Sequence, residues 1–455
     1  MDDFLIKWIF QNRILIKINK KINWVSNTTK AYQSYQILRL ISLVLISLLL
    51  VKSSFDRNQT SAFELFLFIA NISSFFWTMG ISNAILSYYP KLSGIERAKF
   101  FTNIFVLLQG IGLIVSFISY FTSGFSLANG NPYIDNHSMM LLAIYIVLYA
   151  PTLLVESKYI IDKSSNALLR YGIILYGIQL AAIVIVALLF HSIQSIFIVM
   201  VAWIFIKWIW TIRTINLDLN QISPKLIKIF LLFTLPIIAH ILLGNGMEFI
   251  DGILVEKNFD SSQFSVYRYG AREFPVILIL IGALRSVMIP EAVNDIHSTA
   301  KKIKNKTTKL ILIFFPIAIV LIFISKYLFI YFYNEDYTYS ALLFNIYLLI
   351  ISSRIILSEV FIYAKHKNKT LMYVSFVELV FNIVLSIILM RFYGIAGIAF
   401  ATFIAFLLSK MFLAFYTQKI LGIKLKEYLN IGIYLFFTVL LYIAFWLELW
   451  LMTNL

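Results

Sequence analysis

The chain contains no cysteine. That absence excludes disulfides, thiolate metal sites and cysteine nucleophiles. Charge is almost as scarce: Asp, Glu, Lys and Arg make up 13% of the 455 positions, against about a quarter in a soluble domain. The five histidines are scattered without metal-ligand spacing, so no metal centre is expected. No basic n-region with a short apolar core and a small-residue cleavage site opens the chain, so no removable leader is expected. Long polar connections are missing too, which leaves no room for an extramembrane catalytic domain.

What fills the chain instead is apolar. Hydrophobic residues account for 61% and aromatic residues for 16% of it, and the mean hydropathy is +0.87. The fold class that follows is an all-α polytopic membrane protein, because a spanning segment must satisfy its backbone hydrogen bonds internally. Runs of roughly 20 apolar residues are long enough to cross the hydrocarbon core. They are placed at 36–54, 63–89, 100–121, 138–156, 167–190, 192–211, 226–250, 262–290, 308–332, 339–363, 370–390, 394–416 and 429–452. That predicts about thirteen spans, within a range of about 12 to 14.

The formal charge of +16 raises the question of nucleic acid, and its distribution answers it. Lysine and arginine crowd the N-terminal tail and the connections at 91–99, 158–163, 213–228, 301–309, 365–369 and 419–426. Each of these follows an even number of spans. The alternate connections are poor in base: 122–137 has no Lys or Arg, and 333–338 has only Glu335 and Asp336 as charges. The positive-inside rule then places the N-terminus in the cytoplasm and explains the charge without nucleic acid.

The expected organisation is a basic cytoplasmic tail at 1–35, an N-lobe of six spans at 36–211 and a cytoplasmic linker at 212–225. A C-lobe of six spans at 226–416 and a C-terminal loop with an extra hydrophobic segment at 417–455 complete it. The tail segment DFLIKWIFQNRILIKINKKINW either lies as a helix on the inner leaflet or only fixes orientation. The two lobes share a faint likeness, since GISNAILSYYP closes the second span and GALRSVMIP the eighth. Such a repeat would be related by an axis along the membrane normal.

Charges inside the spans are the candidate functional residues. Arg39, Glu156 and Arg170 lie near helix ends, where snorkelling accounts for them. The second half differs. Arg268 and Arg272, four residues apart, project from one face of a helix, while Arg354 and Glu378 lie near the centres of their spans. Glu359 sits between Arg354 and the inner surface. A charge at the bilayer centre costs about 2.5 to 3.5 kcal/mol or more, so these groups face each other or a polar cavity. Two readings stay open for Arg354 and Glu378, an ion pair or a cavity lining. Two like charges cannot pair with each other, so Arg268 and Arg272 point to an anionic ligand or a water-filled cavity. Arg285, close to Pro290, is expected to snorkel. Pro236, Gly244 and Gly246 in span seven, with Gly270 and Pro275 in span eight, suggest broken helices around that cavity.

The stretch IIAHILLGNGMEFIDGILVEKNFDSSQFSVYRYGAREFPVILILIGALRSVMIPE resembles spans seven and eight of polysaccharide transporters. These form a branch of the multidrug/oligosaccharidyl-lipid/polysaccharide (MOP) exporter superfamily. FELFLFIANISSFFWTMGISNAILSYYPKLSGIERAKFF resembles spans two to three of that branch, and YNEDYTYSALLFNIYLLIISSRIILSEVFIYAKHKNKTL resembles span ten. FVELVFNIVLSIILMRFYGIAGIAFATFIAFLLSKMF resembles spans eleven and twelve, with a turn at Tyr393-Gly394. The likeness runs over roughly residues 30–420. Two departures stand out, the long basic tail and an odd span count.

The resemblance implies a MATE-like fold of two six-helix lobes and a Wzx-type flippase in the bacterial cytoplasmic (inner) membrane. Its cargo would be an undecaprenyl-pyrophosphate-linked O-antigen or capsule repeat unit, moved by alternating access. Arg272, Arg268 and Arg354 would then form the substrate-binding cationic cavity, since guanidinium suits phosphate. Glu378, Glu359, Glu273 and Asp251 would be the acids available for coupling or ion pairing. No cofactor is implied beyond a proton or sodium gradient. The implied partners are membrane lipids, a polysaccharide polymerase and a chain-length regulator. Rival readings are a MATE-type drug/cation antiporter, a lipid II flippase and, as a membrane enzyme, an O-antigen polymerase. The basic centre of span eight argues against the antiporter, and the short outer loops argue against the enzyme.

Overall fold

The computed structural model describes residues 28–53, 55–89, 92–123, 131–365 and 367–454. The expected surface helix of the basic tail lies outside the described residues. Helices dominate the rest, because every long apolar run must close its backbone hydrogen bonds on itself in lipid. They are α1 (Thr28–Lys52), α2 (Arg57–Tyr88), α3 (Gly94–Ile118), α4 (Asn136–Ile161), α5 (Ser165–Phe190), α6 (Ile193–Ile215) and α7 (Pro224–Asn258). Then follow α8 (Ser261–Gly270), α9 (Pro275–Asn294), α10 (Ile296–Phe332), α11 (Thr338–Leu349), α12 (Ser358–Ala364), α13 (Asn368–Ile420) and α14 (Ile431–Asn454).

Among the described residues nine helices are long and apolar enough to cross a membrane. The bent pair Glu335–Arg354 and Ser358–Ala364, at 47°, makes a tenth. Each expected span falls on a helix or on one arm of a broken one. The 53-residue α13 would reach roughly 80 Å if straight, far beyond a hydrocarbon core of about 30 Å. It is two spans, folded at Gly394 with φ 58° and ψ −140°. Only glycine takes that backbone conformation without steric cost.

The chain divides into two compact units. One comprises the described residues up to Phe55, with 73–125 and 134–238; the other comprises 56–72, 126–133 and 239–455. The division does not follow the linear order of the spans. The first half of α2 groups with the second unit, and the boundary falls inside α7 after Ile238 rather than in the 212–225 linker.

Within the first unit, α1 packs on α5, α3 on α4 and α4 on α6. An aromatic block of Tyr88, Phe100, Phe101 and Phe230 fills one end of it. Within the second, α10 packs against α9, α11 and α14, and α8 against α11. Helix ends are set by ordinary caps. The carboxylate of Asp135 accepts from the Ser138 N–H and hydroxyl, both at 2.8 Å, which fixes the start of α4. Those bonds, led by the one from the backbone N–H, hold the Asp135 carboxyl below its usual range.

Asp135→Ala is expected to destabilise the protein by about 0.5–2 kcal/mol, the usual cost of losing an N-cap. Because the folded-state value is depressed, the contribution is present above the unfolded value near 3.9. It is lost as pH falls through the folded value. Thermal unfolding of wild type and variant should therefore differ at neutral pH and converge in acid.

A candidate ion-paired site in the second unit

The predicted span eight is not one helix. Pro275 lacks an N–H and cannot continue a preceding turn, and Phe274 before it is held extended at φ −65° and ψ 106°. Ala271, at φ −77° and ψ 57°, forms an inverse γ-turn, closed by the Arg272 N–H on the Gly270 carbonyl at 2.7 Å. Gly270 ends α8 against α11 so closely that an added Cβ would strike the Ser340 backbone. The Ser340 hydroxyl donates to the Val266 carbonyl at 2.7 Å and fastens the same contact. By contrast α7, where Pro236 and Gly246 suggested a break, stays helical from Pro224 to Asn258.

This break redirects the charges. Arg272 and Glu273 fall in the non-helical linker between α8 and α9, so the expectation of Arg268 and Arg272 on one helical face does not hold. Arg272 Nε donates to the Arg268 carbonyl at 2.8 Å, and its Nη2 lies 3.9 Å from the buried Glu64 carboxylate. Its side chain keeps 38% exposure. The Arg268 guanidinium lies over the Phe68 ring, 5.5 Å from the centroid.

Arg354 does not pair with Glu378. It makes a two-pronged bond to Glu273, Nε to Oε2 at 2.9 Å and Nη2 to Oε1 at 2.6 Å. It also stacks on Phe406 at 3.9 Å. The linker turned Glu273 toward Arg354, which a continuous helix would not have done. Glu359 is buried and bonded by Lys410 Nζ at 2.7 Å, with Arg285 Nη1 at 3.8 Å from the same oxygen. Arg285, expected only to snorkel, is thus also part of this group. Lys410 was not among the residues the sequence singled out, although it is a lysine inside the span expected at 394–416. The Ser409 hydroxyl, which lines the same groove as Glu378, donates to the Phe406 carbonyl at 3.0 Å.

Asp251 is the most enclosed of the acids, with no exposed surface. The Thr402 hydroxyl donates to its Oδ2 and the Ser386 hydroxyl to its Oδ1, the latter at 3.5 Å. Asn382 Nδ2 donates to the Thr402 hydroxyl at 3.0 Å, while the buried Asn382 Oδ1 has no hydrogen-bond donor among the described residues. The α7 carboxylate, two α13 hydroxyls on opposite sides of the Gly394 fold and one amide oxygen are therefore buried together. Oxygen donors with a single negative charge fit a hard monovalent cation or a proton, not a soft metal. Among the described residues no group of three or more His, Cys, Asp or Glu stands ready for a metal ion.

The first unit holds a second polar group that the sequence reading assigned to snorkelling. Arg39 Nη2 donates to the Tyr149 hydroxyl at 3.1 Å. The Tyr176 hydroxyl donates to that of Tyr35 at 3.0 Å, and Tyr35 donates to Glu156 at 2.6 Å. The Lys207 ammonium lies 5.0 Å from the Tyr176 ring centre. Tyrosines one helical turn from the charges were the available signal. Arg170 keeps to its own helix, with Nε bonded to the Asn166 carbonyl at 3.3 Å.

The sequence model of one protein family, described as Polysaccharide biosynthesis protein, matches residues 62–341. The match covers more than half of the chain and takes in Glu64, Asp251, Arg268, Arg272 and Glu273. No curated protein sequence matches the chain. Among solved structures, the lipid II flippase MurJ in an inward closed conformation superposes with a TM-score of 0.68 at 19% identity. That likeness covers 92% of this chain and 93% of that one. An outward-facing multidrug resistance MATE transporter of the MOP superfamily gives 0.54 at 13% identity, over 87% and 96%. The eukaryotic MATE transporter AtDTX14 gives 0.54 at 13% identity, over 91% and 97%. These likenesses establish the fold, which is the all-helical MOP fold.

Proposed function

The chain belongs to the polysaccharide biosynthesis protein family, and from that membership we propose that it flips an undecaprenyl-pyrophosphate-linked oligosaccharide, an O-antigen or capsule repeat unit. It does so by alternating access across the bacterial inner membrane, with the N-terminus in the cytoplasm, as a transporter and not an enzyme. The observation that carries the reading is Arg272. It is a guanidinium at membrane depth, anchored through Nε to a backbone carbonyl, held only loosely by Glu64 at 3.9 Å and more than a third exposed. Such a group is positioned but not spent, and a pyrophosphate or sugar acid can take its free donors. Arg268 stands beside it, whereas Arg354 is already committed to Glu273 and serves to hold the linker in place. The Asp251 cluster is the coupling site in this reading, taking sodium or a proton.

Removing a hydrogen bond to a charged group costs about 1.5–3 kcal/mol, and each 1.4 kcal/mol is tenfold. Arg272→Ala is therefore expected to lower surface glycan in a flippase-deletion host by about 10- to 150-fold at equal membrane expression, with Arg272→Lys intermediate. Glu64→Gln/Arg272→Ala separates this from a folding effect. If the loss came only from the Glu64 charge that Arg272 no longer faces, the double variant would recover export. Unchanged glycan in Arg272→Ala would refute the site.

A further inference from the structure

The two arms of α13 enclose a groove of about 520 Å³, within the usual size of a ligand pocket. Thr370 and Tyr416 stand at one end of it and Phe381 and Ala405 at the other. Eleven residues separate Thr370 from Phe381, so the groove runs roughly 16 Å along the helix. That is about half of a hydrocarbon core of about 30 Å, the depth of one leaflet. Its walls are apolar and aromatic, with Tyr373, Phe381, Phe412 and Tyr416 presenting rings. Two of the polar groups in it are engaged: the Thr370 hydroxyl donates to the Tyr416 hydroxyl at 3.2 Å, and the Ser409 hydroxyl to the Phe406 carbonyl at 3.0 Å; the Glu378 carboxyl also lines it.

The charge lies at the mouth. Lys365 and Lys367 precede the first arm, Lys369 lies in its first turn and Lys419 in the last turn of the second, and all four are exposed. An apolar trough one leaflet deep, opening onto four cations, has the shape and polarity of a single hydrocarbon chain with an anionic head. A bilayer phospholipid carries two chains on one head, whereas a polyisoprenyl phosphate carries one, with double bonds that lie well on aromatic faces.

Resting on the flippase reading above, we infer that this groove holds the phosphate-proximal isoprene units of the flipped lipid, with the phosphate at the lysine-bearing mouth. The tail then stays against one half of α13 while the head group is handed to the charged linker.

The test uses the full chain in nanodiscs with a glycan-free, diazirine-bearing undecaprenyl phosphate as the probe. Photolabelling is read by peptide mass spectrometry with excess phosphatidylglycerol as competitor. Adducts are expected on peptides covering 373–381 and 405–416, and excess phosphatidylglycerol should leave them in place. Val377→Trp fills the rim of the groove from an exposed position and should reduce them about tenfold. Ile388→Trp, exposed on the same arm beyond the groove, should not. Adducts spread evenly over lipid-facing helices, or removed by phosphatidylglycerol, would overturn the inference. The same variants are assayed for surface glycan. Groove labelling without any glycan export by wild type would defeat the flippase reading alone; export with labelling elsewhere would defeat the groove alone.

Discussion

Asp251→Asn is expected to abolish the sodium-dependent stabilisation proposed for wild type. In wild type, exchanging choline for sodium is expected to raise the unfolding temperature, because a cation that binds only the folded state stabilises it by mass action. At a hundred times Kd the gain is about 2.7 kcal/mol. The oxygens that would hold it are those of Asp251, Thr402 and Ser386, with the undonated Oδ1 of Asn382 supplying the remaining one. Asparagine preserves shape and one of the two accepted hydroxyl bonds but removes the formal charge of Asp251, so the sodium response should vanish while the fold survives. Where the proton is the coupling ion, sodium and choline behave alike, and mild acid replaces sodium as the stabiliser in wild type only. A wild type indifferent to both ions and protons would remove Asp251 from coupling.

Glu273→Ala should cost about 1.5–3 kcal/mol of stability, the usual worth of hydrogen bonds to a charged group, since the pair is only partly buried, with 18% of the Glu273 and 26% of the Arg354 side chain exposed. Arg354 would keep its charge beneath Phe406 with both Glu273 bonds gone. The companion experiment is Glu273→Leu/Arg354→Met. Removing both charges also removes the desolvation penalty, so the double variant should unfold close to wild type in a thermal melt. If single and double variants are equally destabilised, the pair is not what holds the 271–274 linker.

Much of the architecture was legible because membrane helices obey few rules. Apolar length set the segments, and the Tyr393-Gly394 turn that came with the family resemblance falls at the fold between the arms of α13. The arginines of span eight were legible as costly charges. Their partners were not, because pairing depends on where a helix breaks. Pro275 and Pro236 look alike in sequence, yet α8 and α9 part at 271–274 and α7 runs on. That one difference gave Arg354 to Glu273 instead of Glu378. Asp251 stood out as an acid, but Thr402, Ser386 and Asn382 resemble any small polar residue in an apolar run. Lys410 and Glu64 escaped notice because each completes a pair only in three dimensions. Arg39 and Glu156 were assigned to the membrane surface by their position near helix ends, and tyrosine hydroxyls met them instead.

Passage of a pyrophosphate-linked glycan across the bilayer on a site centred at Arg272, as proposed, can be followed in proteoliposomes. A fluorescent glycan on undecaprenyl pyrophosphate is placed in one leaflet, and its arrival in the other is read by a membrane-impermeant quencher. Wild type should deliver it, and Arg272→Ala, reconstituted at the same density, should do so about 10- to 150-fold more slowly. Delivery by Arg272→Ala at the wild-type rate, or none by wild type under sodium and proton gradients of either sign, would contradict the account.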